Sequence, residues 1–151
     1  MAVNLKNAQR YIYLADDDID DRDFFIDAIR EIDPDMILKV AEDGMDLIDN
    51  VLTLSASELP EFIFLDINMP RKSGFECLEE IRNHKGSVKE VNIIMFSTSN
   101  DPENIQKELE LGAAFYAVKP SSFEKLKSLL KEILTMNLTS SLREKRKFLL
   151  I

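Results

Sequence analysis

The chain has 151 residues, of which 45% are hydrophobic, and it carries a net charge of −9 and a single cysteine, Cys77. This length favours one domain with a sizeable core, and one cysteine excludes an internal disulfide. The N-terminus lacks the apolar segment of a signal peptide or membrane helix, and the acidic charge argues against sequence-independent binding to nucleic acid. The composition therefore predicts a cytoplasmic, one-domain protein that binds neither membranes nor nucleic acid.

Five short apolar runs, rich in β-branched and aromatic residues, alternate with segments of helical spacing. In chain order, the predicted strands are residues 11–15, 37–41, 62–65, 91–96 and 114–118. The predicted helices start at Ile19, Gly44, Phe75, Pro102 and Phe123. This alternation predicts an α/β fold of the flavodoxin-like, doubly wound (βα)5 type, with a five-stranded parallel sheet in the order 2-1-3-4-5.

Capping residues support several of these boundaries. Asp18, Asp101 and Ser122 fit N-caps, because their side-chain oxygens can accept hydrogen bonds from the first turn of a helix. Gly112 fits the position just past a helix end. In the helix that ends there, the apolar side is predicted to consist of Ile105, Leu109 and Leu111.

Polar side chains follow four of the predicted strands. Asp16 and Asp17 come after the first strand, Asp66 after the third, Ser97 after the fourth and Lys119 after the fifth. The carboxyl ends of parallel strands meet at one edge of the sheet, and in the order 2-1-3-4-5 the first and third strands flank the crevice where ligands bind. We therefore expect these side chains to share one cleft.

This group of residues predicts phosphoryl chemistry. Neighbouring carboxylates repel one another unless a cation is present, and Mg²⁺ prefers oxygen ligands while keeping positions open for water or a phosphate oxygen. Asp66 could then attack phosphorus, while Lys119 and the hydroxyl of Ser97 contact the phosphoryl oxygens.

The same features resemble the receiver domain of bacterial two-component response regulators, over about residues 9–134. The resemblance rests on the acidic pair Asp16 and Asp17, on Asp-x-x-Met-Pro-x-x-x-Gly from Asp66 to Gly74, on a hydroxyl residue after the fourth strand, and on Lys-Pro after the fifth. Each feature alone is weak, but their joint spacing is highly specific.

The resemblance implies a role for each residue of the site. Asp66 would be the phosphoacceptor, Asp17 a direct Mg²⁺ ligand, Asp16 a ligand largely through water, and Asn68 a ligand through its backbone carbonyl. Ser97 takes the family's Ser/Thr position.

Three further implications concern switching and the turn after the fifth strand. Tyr116 matches an aromatic residue that swings inward when the hydroxyl residue moves toward the phosphoryl group. The output surface would comprise the fourth helix, the fifth strand and the fifth helix. The Lys119-Pro120 bond is often cis in such domains.

Simpler interpretations exist for each of these residues. The aspartates after the first strand could only cap a helix, Lys119 could be a solvated charge, and Ser97 could be a strand-end hydroxyl. Tyr116 could be a half-buried core residue. His84 is predicted to be a solvated loop residue, without a role as a phosphate carrier.

Charge divides the chain into two parts. Four basic residues against Glu144 give residues 138–151 a charge of +3, which leaves −12 on residues 1–137. We predict a receiver domain over residues 1–137 and a basic tail over 138–151, with no effector domain. The tail could extend the last helix or remain unpaired until a partner covers it; a contact with a partner or a second copy is the alternative to a solvated end.

The leading hypothesis is a single-domain response regulator. A sensor histidine kinase or a histidine phosphotransfer protein would phosphorylate Asp66, and an unidentified downstream protein would bind the switched surface. A phosphorelay intermediate and an adaptor that works without phosphorylation are the alternatives. A phosphatase of the dehalogenase type is disfavoured, because it usually needs a second aspartate where this chain has Asn68.

Overall fold

A computed structural model describes residues 10–136 and the backbone of residues 149 and 150. The strands are β1 (Tyr11–Ala15), β2 (Ile37–Ala41), β3 (Ile63–Leu65), β4 (Ile93–Ser97), β5 (Phe115–Val118) and β6 (Leu149–Leu150). The α-helices are α1 (Ile19–Ile32), α2 (Gly44–Val51), α3 (Gly74–Asn83), α4 (Pro102–Leu111) and α5 (Phe123–Leu134). Short 3-10 helices at Ala56–Glu58 and Ser87–Glu90 were not predicted from the sequence.

All strands of the sheet pair in parallel, in the order β2-β1-β3-β4-β5-β6. The predicted five-stranded order is confirmed, and β6 adds to it from the tail. Its two residues pair with the outer edge of β5, where Leu149 lies opposite Tyr116 and Leu150 opposite Ala117. A pair of leucines is too short to show strand periodicity, so no sequence pattern predicts this strand.

Two apolar layers cover the sheet, because successive strand residues point to opposite faces. Helices α1 and α5 cover one face, where the ring of Phe25 lies 5.0 Å from that of Phe64 and 5.8 Å from that of Phe96. Helices α2, α3 and α4 cover the other face, around residues such as Leu47 and Leu78. Burial on both faces explains why β3 and β4 are continuous apolar runs.

The predicted caps are confirmed. Asp18, Asp101 and Ser122 each accept a hydrogen bond from a backbone N–H in the first turn of α1, α4 and α5. Gly112 ends α4 with a φ of 99°, a conformation that glycine adopts without steric cost. Within residues 10–136, none of the helices is both long enough and apolar enough to cross a membrane.

The predicted apolar side of α4 is wrong in one position. Ile105 and Leu111 pack against the core, but Leu109 is 47% exposed and Glu108 is fully buried in its place. Positions 105 and 108 share one face of a helix, so the face that packs Ile105 against the core also directs Glu108 inward.

Candidate functional site

The carboxyl ends of β1, β3, β4 and β5 bring the predicted site residues to one edge of the sheet. Asp16, Asp17 and Asp66 each offer a carboxylate oxygen, and these three oxygens lie within 4.8 Å of one another. The Nζ atom of Lys119 lies 2.7 Å from Asp16 Oδ2 and 3.7 Å from Asp66 Oδ1. Ser97 ends β4 at the same edge.

Asp16 is the most firmly held member of the acidic group. Its side chain is buried, its Oδ2 atom accepts a hydrogen bond from Lys119, and its Oδ1 atom accepts one from the N–H of Asp18 at 3.0 Å. Arg22 donates to its backbone carbonyl at 2.9 Å. Asp17, by contrast, is exposed. The cluster therefore combines one fixed, buried carboxylate with one that faces solvent.

Asp66 lies at the lip of the sheet, with 12% of its side chain exposed. The N–H of Ile67 donates to Oδ1 at 2.9 Å, which fixes the carboxylate plane. The pKa of Asp66 is raised to about 6, mainly by burial; the charge of Lys119 opposes this rise, whereas the charges of Asp16 and Asp17 add to it. Lys119 therefore compensates the charge of ionised Asp66 only in part, and a cation at this edge of the sheet would stabilise the ionised form.

Lys119 is surrounded by carboxylates. Its side chain is only 10% exposed, and it donates to Asp16 and, at 2.9 Å, to Asp21 Oδ2. Burial by itself lowers the pKa of Lys119, but the hydrogen bonds to Asp16 and Asp21 and the charge of Asp66 outweigh it, so the pKa lies above its usual value. Lys119 is therefore a permanent cation at the site.

The turn that carries Lys119 differs from the expectation. The Lys119-Pro120 peptide bond is trans, so the cis bond implied by the resemblance is wrong. The trans isomer is the usual preference of bonds that precede proline. The N–H of Lys119 donates to the carbonyl of Ser97 at 2.7 Å, and this bond continues the β4–β5 pairing up to the site.

Ser97 and Tyr116 are connected through Ser99. Ser97 is buried, and its Oγ atom accepts a hydrogen bond from the N–H of Ser99 at 3.2 Å. Tyr116 is also buried, and its hydroxyl donates to the carbonyl of Ser99 at 2.8 Å. Burial raises the pKa of Tyr116, although hydrogen bonds with Ser97 and Ser99 lower it. The tyrosine ring thus already lies inward in this structure.

The loop after Asp66 contains two of the residues named by the resemblance. Asn68 is exposed in this loop, and its role as a carbonyl ligand stays a prediction. Gly74 begins α3, and its N–H donates to the carbonyl of Ile67 at 2.8 Å. A Cβ atom on Gly74 would lie 2.2 Å from the backbone oxygen of Asp66. Glycine therefore allows α3 to begin directly against the backbone of Asp66.

Replacing Gly74 with alanine is expected to lower the free energy of unfolding by about 2 kcal/mol, because backbone atoms must move to admit the methyl group. Urea unfolding followed by circular dichroism measures this change. Gly86→Ala is the matched control, since a Cβ atom there comes close only to the ring of His84, a side chain that can shift, at 3.1 Å, and meets the backbone oxygen of Leu52 at an ordinary contact distance of 3.7 Å. Equal losses for the two variants would contradict the close approach at Gly74.

A comparison with protein families identifies the fold's family. The model of the response regulator receiver domain matches residues 12–131. The chain belongs to this family. The acidic pair, Asp66, Ser97 and Lys119 all lie within the matched region, and the two-component, CheY-like character inferred from the sequence is confirmed.

Known response regulators are similar in sequence to part of this chain. The probable C4-dicarboxylate response regulator DctR of Bacillus subtilis is 36% identical over 91 residues, which are 60% of this chain and 36% of DctR. The nitrate/nitrite response regulator NarL of Escherichia coli K12 is 34% identical over 105 residues, covering 63% of this chain and 47% of NarL. The chain therefore spans less than half the length of these relatives.

A solved structure gives the same fold. The phosphorylated cyanobacterial phytochrome response regulator RcpA superimposes with a TM-score of 0.74 at 25% identity, over 83% of this chain and 91% of that one.

Two carboxylates of this receiver were not singled out from the sequence. Asp21 hydrogen-bonds Lys119, although its sequence position suggested only a favourable interaction with the helix dipole. The available signal was its place in the first turn of α1, directly after the acidic group that follows β1. Glu108 is buried beneath α4, and nothing in the sequence distinguishes it from the exposed Glu110.

Proposed function

We propose that this receiver accepts a phosphoryl group on Asp66 from a sensor histidine kinase or a histidine phosphotransfer protein, in the cytoplasm, and passes the signal to another protein. The supporting observation is the position of Asp66, within the carboxylate cluster and 3.7 Å from the ammonium of Lys119. RcpA, which shares the fold, has been solved in a phosphorylated form. We assign this role to residues 1–137, with residues 138–151 as a basic tail.

The acidic group fits Mg²⁺. Its three carboxylate oxygens lie within 4.8 Å of one another and form the hard oxygen set that this ion prefers. Asp17 would bind it directly, Asp16 largely through water, and Asn68 through its carbonyl. When bound, the ion supplies positive charge to the phosphoryl oxygens.

The transfer itself needs little covalent machinery from the protein. A bond forms between a carboxylate oxygen of Asp66 and phosphorus while the P–N bond to the donor's imidazole breaks, and the electron pair of that bond stays on the imidazole nitrogen, which is then protonated. Lys119 balances charge on the phosphoryl oxygens, and the hydroxyl of Ser97 donates a hydrogen bond to one of them. The fixed carboxylate plane of Asp66 keeps the attacking oxygen oriented.

The turn of residues 97–99 would carry the signal away from Asp66. If Ser97 moves toward the phosphoryl group, its bond with the N–H of Ser99 must change, and the Ser99 carbonyl holds the hydroxyl of Tyr116. The new hydrogen bonds would bias a two-state equilibrium of the face formed by α4, β5 and α5. The downstream protein would recognise that face.

Incubation with acetyl phosphate and Mg²⁺ tests this function. Intact-mass spectrometry should show the gain of one phosphoryl group that is stable in acid and lost in base, and Asp66→Ala should show none. Asp20→Ala, which removes an exposed carboxylate outside the cluster, should behave as wild type. No gain in the wild type, or a gain that persists in Asp66→Ala, would refute the proposal.

A further inference from the structure

The ammonium group of Lys119 is held by two carboxylates on different elements. It donates to Asp16 Oδ2 at 2.7 Å, at the end of β1, and to Asp21 Oδ2 at 2.9 Å, in the first turn of α1. Asp66 Oδ1 lies 3.7 Å away, which is too far for a hydrogen bond. A lysine has three N–H donors, so one remains for a group attached to Asp66.

Asp21 is well placed to fix this lysine. Its own N–H donates to the Asp18 cap at 3.0 Å, which anchors the first turn of α1. Its side chain is 43% exposed, whereas that of Lys119 is 10% exposed, so the carboxylate reaches inward from the surface. Asp16 and Asp21 together set the direction in which the third N–H points.

Loss of Asp21 would leave Lys119 with one hydrogen-bonded carboxylate among the described residues. The ammonium could then close the gap to Asp66 and bond its carboxylate directly. Such a bond would make the carboxylate a weaker nucleophile, and it would occupy the space that a phosphoryl oxygen needs.

We infer that Asp21 is a positioning residue, which holds Lys119 back from Asp66 and keeps the space between them open for the incoming phosphoryl group. The inference rests on the proposed function. It assigns to α1 a part in the reaction beyond the acidic pair at the end of β1.

The first test compares Asp21→Ala with Asp20→Ala. The two variants lose the same charge at adjacent positions of α1, but Asp20 is exposed and has no bond to Lys119. At saturating acetyl phosphate and Mg²⁺, Asp21→Ala should be phosphorylated about tenfold more slowly than wild type, because the lysine is misplaced. The half-saturating concentration of acetyl phosphate should not change, and Asp20→Ala should retain the wild-type rate.

The second test uses urea unfolding without Mg²⁺ and does not depend on activity. With Lys119 present, Asp21→Ala should lower the unfolding midpoint, since it removes an ion pair. In a Lys119→Met background it should raise the midpoint, since it then only relieves repulsion with Asp16 and Asp66. A role of Asp21 that does not involve Lys119 would shift the midpoint in the same direction in both backgrounds, whereas the phosphorylation rate at an unchanged half-saturating concentration separates positioning from a merely structural ion pair.

The combined outcomes distinguish a failure of the inference from a failure of the proposed function. If wild type is phosphorylated and Asp21→Ala keeps its rate, the inference is wrong and the proposed function stands. If wild type takes up no phosphoryl group, the proposed function fails, and the unfolding midpoints then test only whether Asp21 acts through Lys119. Equal midpoint shifts in the two backgrounds would then overturn the inference as well.

Discussion

Replacing Glu108 with glutamine is expected to stabilise the protein increasingly as the pH rises. Glu108 lies on α4, its side chain is fully buried, and neither carboxylate oxygen has a hydrogen-bond partner in the part of the chain that the structure describes. Burial raises the pKa of Glu108 to about 8, although Lys107 on the same helix lowers it. On the neighbouring strand β5, the charge of Glu108 raises the pKa of Tyr116, whose hydroxyl donates to the carbonyl of Ser99. A protonated Glu108 thus fits this site better than a charged one.

The direction of this pH dependence follows from the number of protons that the folded and unfolded states bind. Between the ordinary pKa of 4.5 and the folded value of about 8, the folded protein binds a proton that the unfolded chain has lost. The contribution of Glu108 to stability is therefore complete below pH 4.5 and is lost as the pH rises through 8. The slope approaches about 1.4 kcal/mol per pH unit, and the total loss is on the order of 4 kcal/mol.

Urea unfolding of wild type and Glu108→Gln, at a series of pH values across this window, measures the effect. Glutamine keeps a polar group of the same size but does not titrate, so the two free energies of unfolding should separate as the pH rises. Glu110→Gln is the matched control, because Glu110 is exposed on the same helix. Parallel pH profiles for wild type and Glu108→Gln would contradict the burial of a titrating carboxyl group.

Replacing Lys119 with methionine is expected to lower the free energy of unfolding by about 3 kcal/mol in the absence of Mg²⁺. The reason is that the carboxylate of Asp16, whose side chain is 1% exposed, would lose its only ion-pair partner among the described residues and stay buried beside Asp66. Methionine fills a similar volume, so the loss reflects charge more than packing.

Added Mg²⁺ should stabilise Lys119→Met more than it stabilises wild type, because the variant lacks the ammonium group that balances the carboxylate cluster in wild type. Thermal unfolding with Mg²⁺ and with a chelator measures both effects. Lys127→Met is the matched control: Lys127 pairs with Glu31 and Glu124 near the surface, and its replacement should change stability little. If Lys119→Met were as stable as wild type without Mg²⁺, the importance of Lys119 for the cluster would be disproved.

Local patterns were sufficient to predict most of the fold and the convergence of the site. Alternating strand and helix periods produce a parallel sheet, and the carboxyl ends of its strands must share one edge. Asp66 and Lys119 therefore lie close together because each directly follows a buried strand, and Ser97 ends β4 at the same edge. The caps at Asp18 and Ser122 were equally predictable, since they depend only on residues within one helical turn.

The sequence by itself thus determined the alternation of strands and helices, the N-caps of three helices and the edge where the charged side chains gather. The tertiary structure alone decided that Asp21 holds Lys119, 98 residues away, that Glu108 rather than Leu109 turns inward, and that residues 149 and 150 pair with β5. The physical reason is the distance along the chain over which each kind of interaction acts. Periodicity and capping act over a few residues, whereas these contacts depend on how helices and strands distant in the chain rotate and pack against one another.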